Sequence, residues 1–266
     1  MSAHIPSSEL VRWEACLARH ARDYDRATEF VRDGAAPRHL FVVLAGWAQI
    51  YRQLEDGRRQ ISAFVLPGEI CDLDLFTVAR TDYAVSAVRE ITVAEIGRDT
   101  AMALLQDCPR LAGMLIWSEF IAAKRRCEWL TNIGQRNAGE RVSHLICELF
   151  VRQQPRAVGG GGICDFPLTQ AQIAEATGLT QVHVNRTIQD LRRCTGIEVR
   201  GRRLHVPDFE ILAKLAHFTA DYLHRDEAAA VTVRAMAFFG VSTAAAAKRG
   251  GAETAGPDSR ERAASV

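Results

Sequence analysis

The sequence predicts an α+β fold: an N-terminal antiparallel β-roll of jelly-roll type, one long helix, and a C-terminal winged helix-turn-helix. Three observations predict it. Residues 40–96 hold short β-rich runs separated by Gly and Pro turns. Residues 110–133 then run without proline and are broken only by Gly113. Finally, residues 168–193 place a glycine between two short segments that each begin with a threonine cap.

In order along the chain, Ser8 precedes Leu10, Trp13 and Leu17, the spacing of a short amphipathic helix. In "LFVVLAGWAQIYRQLEDGRRQISAFVLPGEI" (residues 40–70) two β-rich runs meet at Asp56-Gly57, a hairpin signal because that turn needs positive φ. Pro67-Gly68 marks the next turn, and "YAVSAVREITVAEI" (residues 83–96) reads as a further strand-like run. Pro109 opens the long helix, which at 1.5 Å per residue spans about 35 Å. Leu115, Ala122 and Trp129 recur every seven residues on it, flanked by Leu111, Met114 and Ile121. The stripe Leu111, Leu115, Ala122 and Trp129 is therefore the expected seam of a dimerisation helix. A hinge is expected at residues 132–137, around Gly134. Asn137 with Glu140 forms a capping box for the next helix, whose apolar face is Val142, Leu145, Ile146, Leu149 and Phe150. "VGGGG" (residues 158–162) reads as a flexible loop. The expected domains are 1–108 (N-terminal helix and roll), 109–135 (long helix and hinge), 136–225 (winged helix-turn-helix) and 226–266 (a disordered Ala/Gly/Arg-rich tail). "VTVRAMAFFGV" (residues 231–241), just before the aromatic-free stretch that starts near Ala244, fits neither helix nor strand clearly.

Composition narrows the class. The chain is 48% apolar and 24% charged, ordinary for a water-soluble protein, and it has no run of eighteen apolar residues to span a bilayer. The N-terminus is too polar and acidic for a signal peptide, so the expected compartment is the cytoplasm. Seven cysteines are scattered without a C-x-x-C pair and read as small buried hydrophobes. The net charge of +1 hides a local patch: residues 181–206 carry six arginines against Asp190 and Glu198, a net +4.

That patch belongs to "LTQAQIAEATGLTQVHVNRTIQDLRR" (residues 168–193). Thr169 with Gln172 caps the first helix, Gly178 makes the sharp turn, Leu179 anchors it, and Thr180 caps the second helix. The second helix turns Val184, Ile188 and Leu191 inward. Gln181, Val182, His183, Asn185, Arg186 and Gln189 are left on the leading outer surface, where side chains of this kind match base edges in a major groove. "GIEVRGRRLHVPD" (residues 196–208) follows as a basic wing. Thr169, Thr180, Arg202 and Arg203 are the expected phosphate contacts.

Taken with the roll and long helix, these residues resemble the Crp/Fnr family of bacterial transcription regulators over roughly residues 30–215. The resemblance implies a cyclic-nucleotide-binding-like effector domain, dimerisation through the long helix, a two-fold symmetric DNA site, and contact with RNA polymerase. It also implies that Arg186 meets a guanine. Gln181 and Val182 stand where many members carry an Arg or Glu base reader.

The expected effector pocket is degenerate. Nucleotide binders of this type carry a glycine-flanked turn and then an Arg-Ser pair on the cyclic phosphate. Here the turn reads "GEICDLDLF" (residues 68–76), so the pocket is expected around Gly68, Glu69, Cys71 and Asp72. Thr81 and Asp82 replace the Arg-Ser pair, and Arg126 and Cys127 stand where a Thr-Ser pair would touch the base. Asp72, Asp74 and Asp82 have the wrong sign for a phosphate, so no cyclic AMP and no cofactor is expected. Cys16 alone cannot hold an iron–sulfur cluster, and His39 and Cys71 are the conceivable ligands of a haem or other metal sensor. An unidentified small ligand, haem or redox signal remains the alternative switch. A cupin-type enzyme needs a His-x-His metal motif, and the eight histidines contain none, so no catalysis is expected.

Overall fold

The computed structural model describes residues 6–154 and 160–224. The C-terminal tail, the "VTVRAMAFFGV" run and the start of the "VGGGG" segment lie outside the described residues. The first half comprises α1 (Ser7–Arg19), β1 (Ala21–Tyr24), β2 (Glu29–Val31), β3 (His39–Ala45), β4 (Ala48–Gln53), β5 (Arg59–Val65), α2 (Asp74–Thr77), β6 (Ala84–Ala87), β7 (Ile91–Gly97) and α3 (Arg98–Asp107). Then follow α4 (Pro109–Gln135), α5 (Ala138–Gln153), β8 (Gly162–Asp165), α6 (Gln170–Thr177), α7 (Gln181–Thr195), β9 (Glu198–Arg200), β10 (Arg203–Val206) and α8 (Phe209–Ala216).

The roll is two antiparallel sheets, ordered β1-β7-β3 and β2-β6-β4-β5. On β3, Phe41 and Val43 point between the sheets, where they meet Ile50, Val65, Val85 and Val93. Leu40 and Val42 point the other way, under Trp13 of α1, Ala101 of α3 and Leu111 of α4. With both faces covered, β3 is an unbroken apolar run rather than an alternating one. The outer face of the second sheet, including Tyr51, Ile61 and Phe64, joins Trp129 and the C-terminal helices in one core. The roll is thus clasped between its own helices and the C-terminal domain.

The Asp56-Gly57 turn forms as expected: Gly57 has φ +87°, and the Leu54 N–H donates to the Arg58 carbonyl at 2.8 Å. Residues 83–96 are not one strand. β6 and β7 lie in different sheets, separated by a bend at residues 88–90 where the charged Arg89-Glu90 pair interrupts the apolar pattern.

The stripe on α4 also needs correction. Leu111 and Leu115 are buried against α1 and the roll, and Trp129 against Phe64, so none of the three is free to meet a second chain. Ala122 is half-buried. A second heptad series, Ile116, Phe120, Ala123, Cys127 and Leu130, runs along another face. On it Phe120 is 55% and Leu130 73% exposed. Two interleaved series share the sevenfold period, and only packing shows which one the chain itself uses.

The expected hinge narrows to Arg136, the one extended residue between α4 and the Asn137–Glu140 capping box. It is braced: buried Asn132 donates to the Arg141 carbonyl at 3.2 Å, and Arg141 Nε donates to the Arg136 carbonyl at 2.7 Å. Nearby, His144 is buried between Phe218 and Tyr222. Its Nε2 lies 3.2 Å from Glu128 Oε1, but neither ring nitrogen makes a hydrogen bond, and Arg136 takes that same carboxylate oxygen at 2.7 Å. Burial, reinforced by Arg136, holds the imidazole neutral, with its pKa down at about 3.

A buried ion network ties the domains together. Arg152 of α5, only 6% exposed, donates to Glu69 Oε2 at 2.6 Å, to the Phe64 carbonyl at 2.6 Å and to Glu148 Oε1 at 3.1 Å. Glu148 is fully buried and also accepts from Trp129 Nε1 and from the Tyr222 hydroxyl, each at 2.9 Å. Arg125 of α4 takes the second oxygen of Glu69 at 2.8 Å. Burial alone would push the Glu69 carboxyl up, but Arg152 and Arg125 outweigh it and bring it to about 2.

Two predictions follow from this junction. Arg152→Met leaves the buried Glu148 without its cation and Glu69 with Arg125 alone, and should cost about 3–5 kcal/mol in urea unfolding, whereas an isolated surface arginine would cost under about 1 kcal/mol. Stability should also fall on acidification. The neutral His144 disfavours the folded state once the unfolded chain protonates below about 6.5, and the loss runs down to about 3. The Glu69 contribution is present above its ordinary value of 4.5 and is lost toward 2. Melting temperature against pH should show a shallower fall between 6.5 and 4.5 in His144→Phe.

Candidate nucleic-acid interface

α6 and α7 form the expected helix-turn-helix. Thr169 Oγ1 accepts from the Gln172 N–H at 3.2 Å, while Gln172 Oε1 accepts from the Thr169 N–H at 2.9 Å. Gly178 ends α6 in the left-handed region, at φ +66°, and the Leu179 N–H closes onto the Ala174 carbonyl at 3.1 Å. Thr180 then caps α7 by accepting from the His183 N–H at 3.3 Å. Val184 and Leu191 are buried and Ile188 is partly so, with Thr187 and Thr195 filling the same face.

That packing turns the other face out. Gln181, Val182, His183, Asn185, Arg186 and Gln189 are all exposed. Asn185 Nδ2 donates to Gln170 Oε1 at 3.2 Å, and Gln189 Nε2 donates to Asn185 Oδ1 at 2.8 Å, so the amides form a chain from the start of α6 across α7. Gln170 was not among the residues singled out from sequence; only the crossing of the two helices brings it there. Arg186, in contrast to Arg193 with Asp190, has no carboxylate partner among the described residues.

The wing is larger than the expected hairpin. β10 pairs with both β9 and β8, making a three-stranded antiparallel sheet in the order β8-β10-β9. Its tip, Gly201-Arg202, has positive φ at both residues, +54° and +68°. Arg203 pairs with Asp165 at 3.7 Å and Arg200 with Glu198 at 3.3 Å, all solvent-exposed. The end of the "VGGGG" segment is therefore structural: Gly162 begins β8, and a Cβ on Gly161 would run into the backbone of Val206 and Pro207. Thr169, Thr180, Arg202 and Arg203 are exposed on the same domain as the α7 face.

The helix-turn-helix is docked on the roll by residues that sequence did not connect. Arg59 of β5 stacks over the Tyr51 ring at 4.3 Å and pairs with Glu175 of α6 at 2.9 Å. Gln172 donates to Gln49 Oε1 at 2.9 Å, so the side chain that completes the α6 capping box also grips β4.

The expected effector residues do not converge. Glu69 belongs to the Arg152 network, and Asp82 is exposed and pairs with Arg52 at 3.5 Å. Arg126 pairs with Glu119 on the surface of α4, and Cys127 is exposed beside it. Cys71 is buried between the sheets. The Gly68 and Cys71 N–H groups donate to the Val43 and Phe41 carbonyls at 2.8 and 3.0 Å, so this turn offers a phosphate little. Only Asp72 and Thr81 line a common cavity, of about 560 Å³, together with Tyr24, Phe30, Arg32 and Arg38. There Thr81 Oγ1 donates to the Arg32 carbonyl at 2.8 Å. Burial lifts the Asp72 carboxyl to about 6 against the pull of the Asp74 N–H. His39 lines this cavity and Cys71 does not, and no three His, Cys, Asp or Glu side chains converge among the described residues. Two cysteines depart from the buried expectation: Cys127 and Cys194 are exposed.

A β-roll joined by a long helix to a winged helix-turn-helix with an exposed polar face defines a DNA-binding regulator, and comparison with known proteins agrees. Residues 21–108 match the model of the cyclic nucleotide-binding domain, and residues 140–215 that of the Crp-like helix-turn-helix domain. The chain is 28% identical over 193 residues to the nitrogen fixation regulation protein FixK of Azorhizobium caulinodans, covering 72% of this chain and 77% of that one. It is 26% identical over 224 residues to the transcriptional activator protein FnrL of Cereibacter sphaeroides, covering 82% and 88%. The structure of FixK2 from Bradyrhizobium japonicum superposes with a TM-score of 0.66 at 22% identity, covering 75% of this chain and 98% of that one. The protein belongs to the Crp/Fnr family of DNA-binding transcription regulators.

Gly178→Ala should cost about 1–2 kcal/mol, because Ile133 Cγ2 stands at an ordinary 3.5 Å and the penalty is conformational. Gly178→Asn should cost less, since asparagine tolerates the left-handed region; thermal unfolding of the pair separates strain from crowding.

Proposed function

We propose that the protein acts as a homodimer on a two-fold symmetric DNA site and does so without cyclic AMP. The observation that carries this reading is the outward face of α7, on which Arg186 has no carboxylate partner among the described residues and stands beside an ordered chain of amides. Arg186 binds a guanine through O6 and N7, while Gln181, Val182, His183, Asn185 and Gln189 meet neighbouring base edges. Thr169, Thr180, Arg202 and Arg203 hold phosphates, the two threonines at helix N-termini where free N–H groups favour an anion.

The second copy packs on Ile116, Phe120, Ala123, Cys127 and Leu130, a heptad series on which Phe120, Cys127 and Leu130 are exposed and Ile116 and Ala123 half-buried among the described residues. Two copies would set their α7 helices about 34 Å apart, in successive major grooves. Independence from cyclic AMP is supported by the use of Glu69 for Arg125 and Arg152, by the committed N–H groups of the 68–71 turn, and by the acidic Asp72. The protein works in the cytoplasm and engages RNA polymerase from its promoter-bound position. A second reading keeps the same DNA binding and adds a small-ligand switch; the cavity beneath Arg32 and Arg38 favours it. Calorimetry with cyclic AMP, cyclic GMP and cyclic di-GMP decides between the two, since heat release coupled to altered DNA affinity would support the switch.

In gel-shift titrations on a selected site and a scrambled one, Arg186→Ala should lose about 1–3 kcal/mol on the selected site and little on the scrambled one. Arg203→Ala should weaken both alike and lower the salt slope by about one. Equal losses for Arg186→Ala on both duplexes would overturn its base-reading role. Phe120→Glu with Leu130→Glu should give a monomer in sedimentation velocity while the fold, read by circular dichroism, persists.

A further inference from the structure

Val182 carries an unexplained cost. At 79% exposure it is the most exposed large apolar side chain among the described residues, and none of those residues covers it. Fraying does not account for this, because Thr180 caps the helix two residues earlier and Val184 is fully buried two residues later. A β-branched residue is also a poor choice for the open first turn of a helix, where a carboxylate would suit the dipole. That turn carries no carboxylate. Val182 is one helical turn from Arg186, so the two side chains are neighbours on the face turned to solvent.

We propose that Val182 specifies a thymine in each half-site by packing its methyl groups on the thymine C5-methyl. The inference rests on the reading that α7 enters the major groove. Among the groups that base pairs display there, the C5-methyl of thymine is the apolar one, and the others are donors and acceptors that valine cannot engage. Side chains at i and i+4 lie about 5–6 Å apart, against a base-pair rise of about 3.4 Å. The thymine therefore falls within two base pairs of the guanine held by Arg186. The absence of an acid in the same turn has a matching consequence, since no carboxylate is present to accept from a cytosine amino group and favour cytosine there.

The test uses the full-length protein and a duplex obtained from it by in vitro site selection. Each thymine near the guanine is replaced singly by deoxyuridine, which removes the methyl and leaves pairing intact. One position should weaken wild-type binding about fourfold per half-site, the worth of one buried methyl group. Val182→Ala should bind the thymine and deoxyuridine duplexes equally, and Val182→Glu should move selection at that position from thymine toward cytosine. Placing 5-methylcytosine there should restore part of the wild-type affinity lost with cytosine. Sensitivity to deoxyuridine that persists in Val182→Ala, or none in the wild type, would overturn the proposal even if Arg186→Ala still relaxed the selected sequence. Failure of the groove reading looks different, because Arg186→Ala would then leave sequence preference untouched.

Discussion

The arrangement of this molecule depends on one guanidinium, that of Arg152, enclosed between Glu69 of the roll and Glu148 of its own helix. Removing two carboxylates from water is costly, and the cost is offset only if every lone pair is directed to a donor. The donors come from different parts of the fold: Arg125 and Trp129 from the long helix, Tyr222 from beyond α8, and Arg152 itself from α5. Displacing either domain would strand a buried charge, so the relative placement of roll and C-terminal domain is set by electrostatics as well as by apolar packing.

The second contact between the domains joins an apolar core to polar groups at its edge. The outer face of the β4–β5 sheet and the helices share one core, and Arg59, Gln60 and Gln49 meet α6 at its edge. Since α6 and α7 are locked by Gly178 and by Ile173, Val184 and Leu191, holding α6 also holds the orientation of α7. The exposed face of α7 is therefore presented on a rigid support, the condition under which several weak base contacts add up to a preference.

The same bonds fix the turn at residues 68–71. Its glutamate is engaged by two arginines of the chain, and two of its N–H groups are bonded to β3. Arg152 couples the turn directly to α5. A cavity beside the turn in the roll has mixed charge, lined by Arg32 and Arg38 together with Asp72 and Glu29.

Local signals in the sequence determined a good deal. The three helix caps, the Gly57 and Gly178 turns, the start of α4 at Pro109 and the outward set on α7 all follow from residues within one or two turns of each other. Each depends on φ or on a side chain reaching its own backbone, which short spacing encodes. Tertiary structure alone decided which of two heptad series on α4 the chain would bury, that residues 83–96 divide between two sheets, and that Glu69 would serve an arginine eighty-three residues away. It also placed Gln170 beside Asn185 and scattered the expected effector residues. These outcomes come from competition among partners distant in the chain, where periodicity and charge are satisfied equally well by several arrangements and only the packed volume selects one.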